Sequence, residues 1–288
     1  MGADLVLALL DAANFVLAII LVAMGLMVVF GMMRIINMAH GELFLLGAYA
    51  LLVVQGLGGS FWLALVLGPL VVGLVGLLLE VLVIRHLYGR VLDSILATWG
   101  LSLLIRQTVI LWFGPQSRVV AAPFDLRLDI LGQPFPAYRL FIMGVSLAVI
   151  LFCFWLFHRT RLGLAARATI ADRATAEAMG IDSRGLDRLT FAFGAALAGL
   201  AGVVMAPLLS VDPQMGLGFL IPAFLAILTG GAGELMGVVT GGVVVGGSQS
   251  LVARVASPAV AELVVLGLAI LVIRLLPNGL VGQFRRRR

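Results

Sequence analysis

The sequence predicts an all-α polytopic membrane protein, on three observations. Of its 288 residues 62% are hydrophobic and only 11% charged, with a mean hydropathy of +1.18. A soluble domain is about 45–50% apolar and about 25% charged. Apolar runs of roughly 18 or more residues recur along the whole length, which is enough to cross the hydrocarbon core of a bilayer. The net charge comes mostly from a few polar stretches between those runs.

Taken in order, the candidate spans are 5–30, 37–54, 61–84, 91–113, 137–157, 189–210, 217–233, 235–253 and 259–276. They give about eight or nine transmembrane or re-entrant helices in one membrane domain, 1–288. Two related halves, 1–157 and 189–288, flank a polar segment, 158–188. The opening "MGADLVLALLDAANF" lacks a basic n-region and a small-residue cleavage site, so the first helix is expected to be retained. In the second span residues 43–54 alone are too short to cross about 30 Å of hydrocarbon. Spans 217–233 and 235–253 are interrupted by "TGGAGE", "TGG" and "VGG", which at membrane depth demands cover by protein or a water-filled cavity. Gly-rich, broken regions therefore fall at 31–59 and 229–247, a pattern that points to a transporter built from repeats.

Orientation follows from arginine, since the chain has no lysine. Segment 158–188 holds six arginines, "RHLYGR" (85–90) two and the C-terminal "RRRR" four. The positive-inside rule places all three in the cytoplasm, and the number of spans between them agrees. Loop 114–136 and the acidic N-terminus then lie outside. The net charge of +5 is accounted for by topology and lipid headgroups, not nucleic acid. Cys153 is the only cysteine, so neither a disulfide framework nor a thiolate metal site is expected.

Four stretches hold candidate functional residues. "MMRIINMAHGELFLLGAYA" (32–50) clusters Arg34, Asn37, His40 and Glu42 where one helix ends and a broken segment begins. Arg34 suits snorkelling to headgroups. Asn37 suits a cap and Glu42 the positive end of the next helix. His40 and Glu42 are alternatively pathway or gate residues, but at i,i+2 they do not share a helix face, so neither a catalytic pair nor a metal site is expected. "ATWGLSLLIRQ" (97–107) sets Thr98, Ser102 and Arg106 on one helix face, either bonding within protein or lining a pathway. "LSVDPQMGLGF" (209–219) reads as an external turn whose Asp212 could touch a binding protein. Glu80 and Glu262, deep in apolar runs, are expected to face protein or water.

The fourth stretch, "LAARATIADRATAEAMGI" (164–181), spaces Leu164, Ala168, Ala171, Ala174, Ala178 and Ile181 as an amphipathic helix, with Arg167, Asp172, Arg173 and Glu177 interspersed. Gly180 is a stop and Asp182 a restart. It is either a solvated loop or a docking helix for a cytoplasmic partner.

"RTRLGLAARATIADRATAEAMGID" followed by "LTFAFGAALAGLAGVV" resembles the coupling segment of permeases in the hydrophobic-amino-acid and amide uptake family of ABC importers. "GMMRIINMAHGELFLLGAY", "LYGRVLDSILATWGLSLLIRQ" and "LTGGAGELMGVVTGGVVVG" resemble that family's blocks, in order, over nearly the whole chain. "INMAHGEL", "LATWGLSL" and "FGPQ" lean toward its urea and short-chain amide branch. Of the wider superfamily's coupling motif only Glu177, Ala178 and Gly180 are echoed.

The resemblance implies an importer permease fold in a bacterial inner membrane, carrying branched-chain amino acids or urea. It implies pairing with a second, related permease, two cytoplasmic ATPases and a periplasmic binding protein. ATP and magnesium would be used by the ATPases: "TGGAGELMG" lacks the Walker spacing and its lysine, so no cofactor is expected here. Two other classes compete. An ion-coupled secondary transporter needs converging carboxylates, which only Glu80, Glu234 and Glu262 could supply; a membrane hydrolase lacks a nucleophile–base pair.

Overall fold

A computed structural model describes residues 2–231, 233–276 and 279–286. Nine apolar helices are formed in the predicted order: α1 (Gly2–Met33), α2 (His40–Gly56), α3 (Phe61–Leu82), α4 (Val91–Phe113), α5 (Ala137–Arg159), then α8 (Ser183–Met205), α9 (Met215–Gly230), α10 (Leu235–Val255) and α11 (Pro258–Leu275). Seven are long and apolar enough to cross a membrane; α2 and α9 are shorter. Between α5 and α8 lie α6 (Arg161–Ala171) and α7 (Arg173–Ala178), and α12 (Gly279–Arg286) closes the described chain.

The core forms where α8 meets α1, α2 and α3. The run "FAFGAALAGLAGVV" makes this possible, because residues without bulk let helix backbones approach. A Cβ on Gly47 of α2 would lie 2.0 Å from the Gly199 carbonyl oxygen of α8, and one on Gly41 would lie 2.7 Å from that of Gly216 at the start of α9.

Two clusters of contacts define the ends of the bundle. At one, Arg188 approaches Glu80, and Arg173 lies over the Tyr88 ring. At the other, Arg118 and Val211 exchange backbone hydrogen bonds, Gln55 bonds to Ala121 and Asn14 donates to the Arg139 carbonyl. The first end carries the arginines of 158–188 and of 85–90, the two segments that the positive-inside rule expects in the cytoplasm.

Four features depart from the sequence reading. α2 begins below the surface: His40 meets Val22 of α1, eleven residues or about 16 Å short of the end of that helix. The extended stretch 34–39 leads back to that depth, after Arg34 ends α1 with a φ of 53° and its amide bonded to Phe30. Toward the C-terminus the chain is irregular twice: at 206–214, between α8 and α9, and, inside the expected 229–247, between Gly230 and Leu235, where Gly231 and Gly233 take positive φ. α10 runs unbroken through its glycines, which seat it against Ile20 and Val16 of α1. The predicted helix 164–181 is two helices, since Asp172 is extended (φ −154°) and its carboxylate caps α7. Finally, the external loop holds a hairpin, β1 (Arg127–Ile130) and β2 (Gln133–Pro136), turned at Leu131–Gly132, where both φ are positive.

Candidate transport site and coupling segment

The polar residues of 34–42 and of α4 form one seam. Asn37 accepts the Ala39 amide at 3.0 Å, closing the turn that leads into α2. Thr98 accepts the Met38 amide at 3.1 Å and donates to the Ser94 carbonyl at 2.7 Å. One helical turn further, Ser102 donates to Glu42 at 2.9 Å, and Arg106 donates to the same oxygen. His40 points the other way: its Nε2 lies 3.1 Å from the Val22 carbonyl oxygen on α1. A carbonyl only accepts, so Nε2 carries the proton. Asn37, His40, Glu42, Thr98 and Ser102 are all at most 2% exposed. The i,i+2 argument therefore holds: His40 faces α1 while Glu42 faces α4.

A second polar cluster ties α7 to α8. Arg173 donates to Glu177 at 3.2 Å, Ser183 at 3.2 Å and Asp187 at 2.5 Å. Ser183 also donates to Glu177. The Ser183 hydroxyl, then Arg173, hold the Glu177 carboxyl below its usual range. Asp172 accepts the Thr175 amide and hydroxyl. Gly180, at φ +87°, ends the segment after α7, and Asp182 caps α8. Ala178 and Gly180 are exposed. Arg167 is also exposed and donates to the Phe157 carbonyl. Beside the cluster, Tyr88 donates to the buried Glu80 at 2.7 Å; burial, then that bond, push its phenol well above the usual range.

Two cavities flank α1. The outer one, about 480 Å³, lies among the external ends of α1, α5, α8, α10 and α11, with Asp11, Asn14, Arg139, Gln249 and Ser250 on its wall. The inner one, about 300 Å³, lies between α1, α5, α6 and residues 233–236, with His158 and Arg167 at its edge. Residues 18–24 of α1 separate them, none more than 2% exposed. The seam residues line neither cavity. Asp212 accepts the Gln214 amide at 2.8 Å in an external turn. Glu80, Glu234 and Glu262 lie in three different pockets and do not converge.

Sequence reasoning passed over Asp11, Asn14, Arg139, Asp187 and Gln249. Polar groups inside apolar runs were the available signal for the first two.

A bundle of apolar helices long enough to cross a membrane, with a cavity toward each end, fits the class of membrane transport proteins. The model of the family described as "Branched-chain amino acid transport system / permease component" matches residues 8–273. The high-affinity branched-chain amino acid transport system permease protein BraD of Pseudomonas aeruginosa is 31% identical over 282 residues, covering 91% of each chain. LivH of Escherichia coli K12, a protein of the same description, is 26% identical over 280 residues, again 91% of each. A probable LivH permease of the archaeon Methanocaldococcus jannaschii is 26% identical over 243 residues, 81% of this chain and 76% of its own. No solved structure matches. The chain belongs to the family of branched-chain amino acid transport system permease components.

Proposed function

We propose that the chain is one of two membrane subunits of an ATP-driven importer of branched-chain amino acids in the bacterial inner membrane. A second, related permease completes the pathway, two cytoplasmic ATPases power it, and a periplasmic binding protein delivers substrate. The observation that carries the substrate class is the match along 91% of this chain and of relatives named for branched-chain amino acid transport. Urea and short-chain amides, toward which "INMAHGEL" and "FGPQ" lean, are the competing cargo.

In this reading α6, α7 and the turn at Gly180 form the docking handle, with Arg167, Asp172, Glu177 and Ala178 on its exposed surface. Arg173 joins the handle to Asp187, at the foot of α8. Because α8 packs on α1, α2 and α3, a displacement of the handle reaches the bundle core. His40, Asn37, Glu42, Thr98, Ser102 and Arg106 hold the α1–α2 junction and α4 in register beside the pathway. Asp212 belongs to the external surface that a binding protein would meet. ATP and magnesium belong to the ATPases.

Uptake of labelled leucine and of urea into vesicles carrying the assembled subunits tests the reading. Leucine is expected to accumulate only with internal ATP and a loaded binding protein. Accumulation of urea instead would replace the substrate; uptake driven by an ion gradient without the ATPases would overturn the proposal.

A further inference from the structure

The outer cavity carries chemistry that neither the polar seam nor the coupling segment uses. Arg139, in the first turn of α5, and Asp11, on α1, form an ion pair on its wall, with side chains 37% and 45% exposed. Only one nitrogen of the guanidinium and one oxygen of the carboxylate meet. Asp11 Oδ2 and Arg139 Nη2 make no hydrogen bond among the described residues, so each group keeps a free edge. Across the cavity the half-buried Ser250 hydroxyl stands on the wall and makes no hydrogen bond among the described residues. Phe15, Met205, Leu208 and Leu209 supply an apolar wall. At about 480 Å³, the cavity lies within the usual range of small-molecule sites, about 300–1,000 Å³.

We propose that this cavity is a transit site that receives a free aliphatic α-amino acid by both ends of its zwitterion, a proposal that rests on the reading of the chain as an amino acid permease. The substrate carboxylate takes the free edge of the Arg139 guanidinium, whose planar fork matches it. The ammonium donates to Asp11 Oδ2 and to the hydroxyl of Ser250. The hydrocarbon side chain lies along Phe15, Met205 and Leu208. The Asp11–Arg139 bond persists throughout, so the four charges alternate and the pair is already aligned when substrate arrives. Beneath the cavity, Ile19 and Ile20 of α1 are seated on Gly246 and Gly242 of α10, which closes the way to the inner cavity. A neutral amide such as urea has no carboxylate for Arg139 and no charge for Asp11. The cavity therefore selects against it.

The test is equilibrium binding of labelled leucine to the assembled membrane complex without its binding protein. Saturable binding is expected. Isoleucine and valine should displace the label, whereas leucinamide (no carboxylate), 4-methylpentanoate (no ammonium) and urea should not. Arg139→Gln and Asp11→Asn should each weaken binding at least tenfold. Ser250→Ala, which leaves the ion pair in place, should weaken it severalfold with unchanged thermal unfolding. Arg139→Lys, which keeps the charge without the fork, should fall between wild type and Arg139→Gln. Binding unchanged in Ser250→Ala and Arg139→Lys, or displacement by urea, would overturn the proposal. So would a wild-type complex that accumulates leucine in vesicles but shows no saturable binding; that result would leave the permease reading intact. A complex that accumulates no amino acid at all would instead remove the reading on which the cavity assignment rests.

Discussion

The molecule contains the same three groups twice: a glutamate, a serine hydroxyl and an arginine. In the seam they are Glu42, Ser102 and Arg106, with the glutamate 1% and the arginine 18% exposed. In the handle they are Glu177, Ser183 and Arg173, with the glutamate 51% and the arginine 39% exposed. The chemistry is alike and the surroundings are not. Within the bundle no water replaces a lost partner, so the first set locks α4 to α2. In the segment between α5 and α8 water reaches Glu177 and Arg173 and competes for the bond between them, although Ser183 and Asp187 beside them are buried, so the second set is held less tightly. Burial, not residue type, divides a lock from a joint.

The largest effect is expected on removing one side of the lock. Arg106→Ala leaves the Glu42 carboxylate buried without its cation, which costs about 3–5 kcal/mol. Thermal unfolding of the detergent-purified protein should show a large loss, and expression should fall. Glu42→Gln removes the charge but keeps an acceptor for Ser102 and Arg106, and should be far milder. Equal losses in the two variants would show that the Glu42–Arg106 charge pair itself holds the seam, and not the stranding of one carboxylate.

Next comes the joint. Glu177→Arg is expected to abolish ATP-driven uptake with only a small loss in thermal unfolding, because the side chain is exposed and the buried Ser183 hydroxyl, which loses its acceptor, still accepts from Arg173. Retained ATPase activity with lost transport would locate the fault in coupling. Full transport would count against docking at this surface.

Much of this contrast could be read from sequence. The predicted span over 91–113 coincides with α4, and the stripe of Thr98, Ser102 and Arg106 does share one face. Periodicity shows which residues lie together on a helix, but not what the face meets. That the stripe bonds to Glu42 and to the backbone of 36–38, not to a cavity, depends on a contact between α4 and α2 some sixty residues apart. The glycines of 229–234 do mark a break, but those of 237–247 misled for a related reason. Sequence marks a residue without a side chain, and only packing tells a break from a close approach: α10 uses Gly242 to seat Ile20. The other break, at 206–214, gave a turn signal at Asp212–Pro213, yet nothing local fixed its depth. The outer cavity was invisible for the same reason, since Asp11, Arg139 and Gln249 come from three distant helices.

A smaller effect tests the α1 side of the junction. His40→Ala removes the bond to Val22 and leaves space beside Gly25, whose position lies against the imidazole. Losing such a hydrogen bond costs about 1–3 kcal/mol, well below the cost of stranding Glu42. Transport is expected to persist in part. Complete loss with normal expression and unfolding would make His40 a gate and not a strut.

The smallest effect is set by pH and belongs to the joint alone. Because the Ser183 hydroxyl and Arg173 lower the Glu177 pKa on folding, the folded segment favours the carboxylate over the acid. The resulting stabilisation is complete above the ordinary carboxylate range and is lost as pH falls through the depressed pKa. Amide hydrogen exchange over 173–183, corrected for its intrinsic pH dependence, should therefore be flat between about pH 6 and pH 8. It should quicken only in acid, and Glu177→Gln should be equally open across the range. Quickening near neutrality would require a different titrating group, and the hydroxyl–carboxylate–guanidinium joint would then not be what holds the handle to α8.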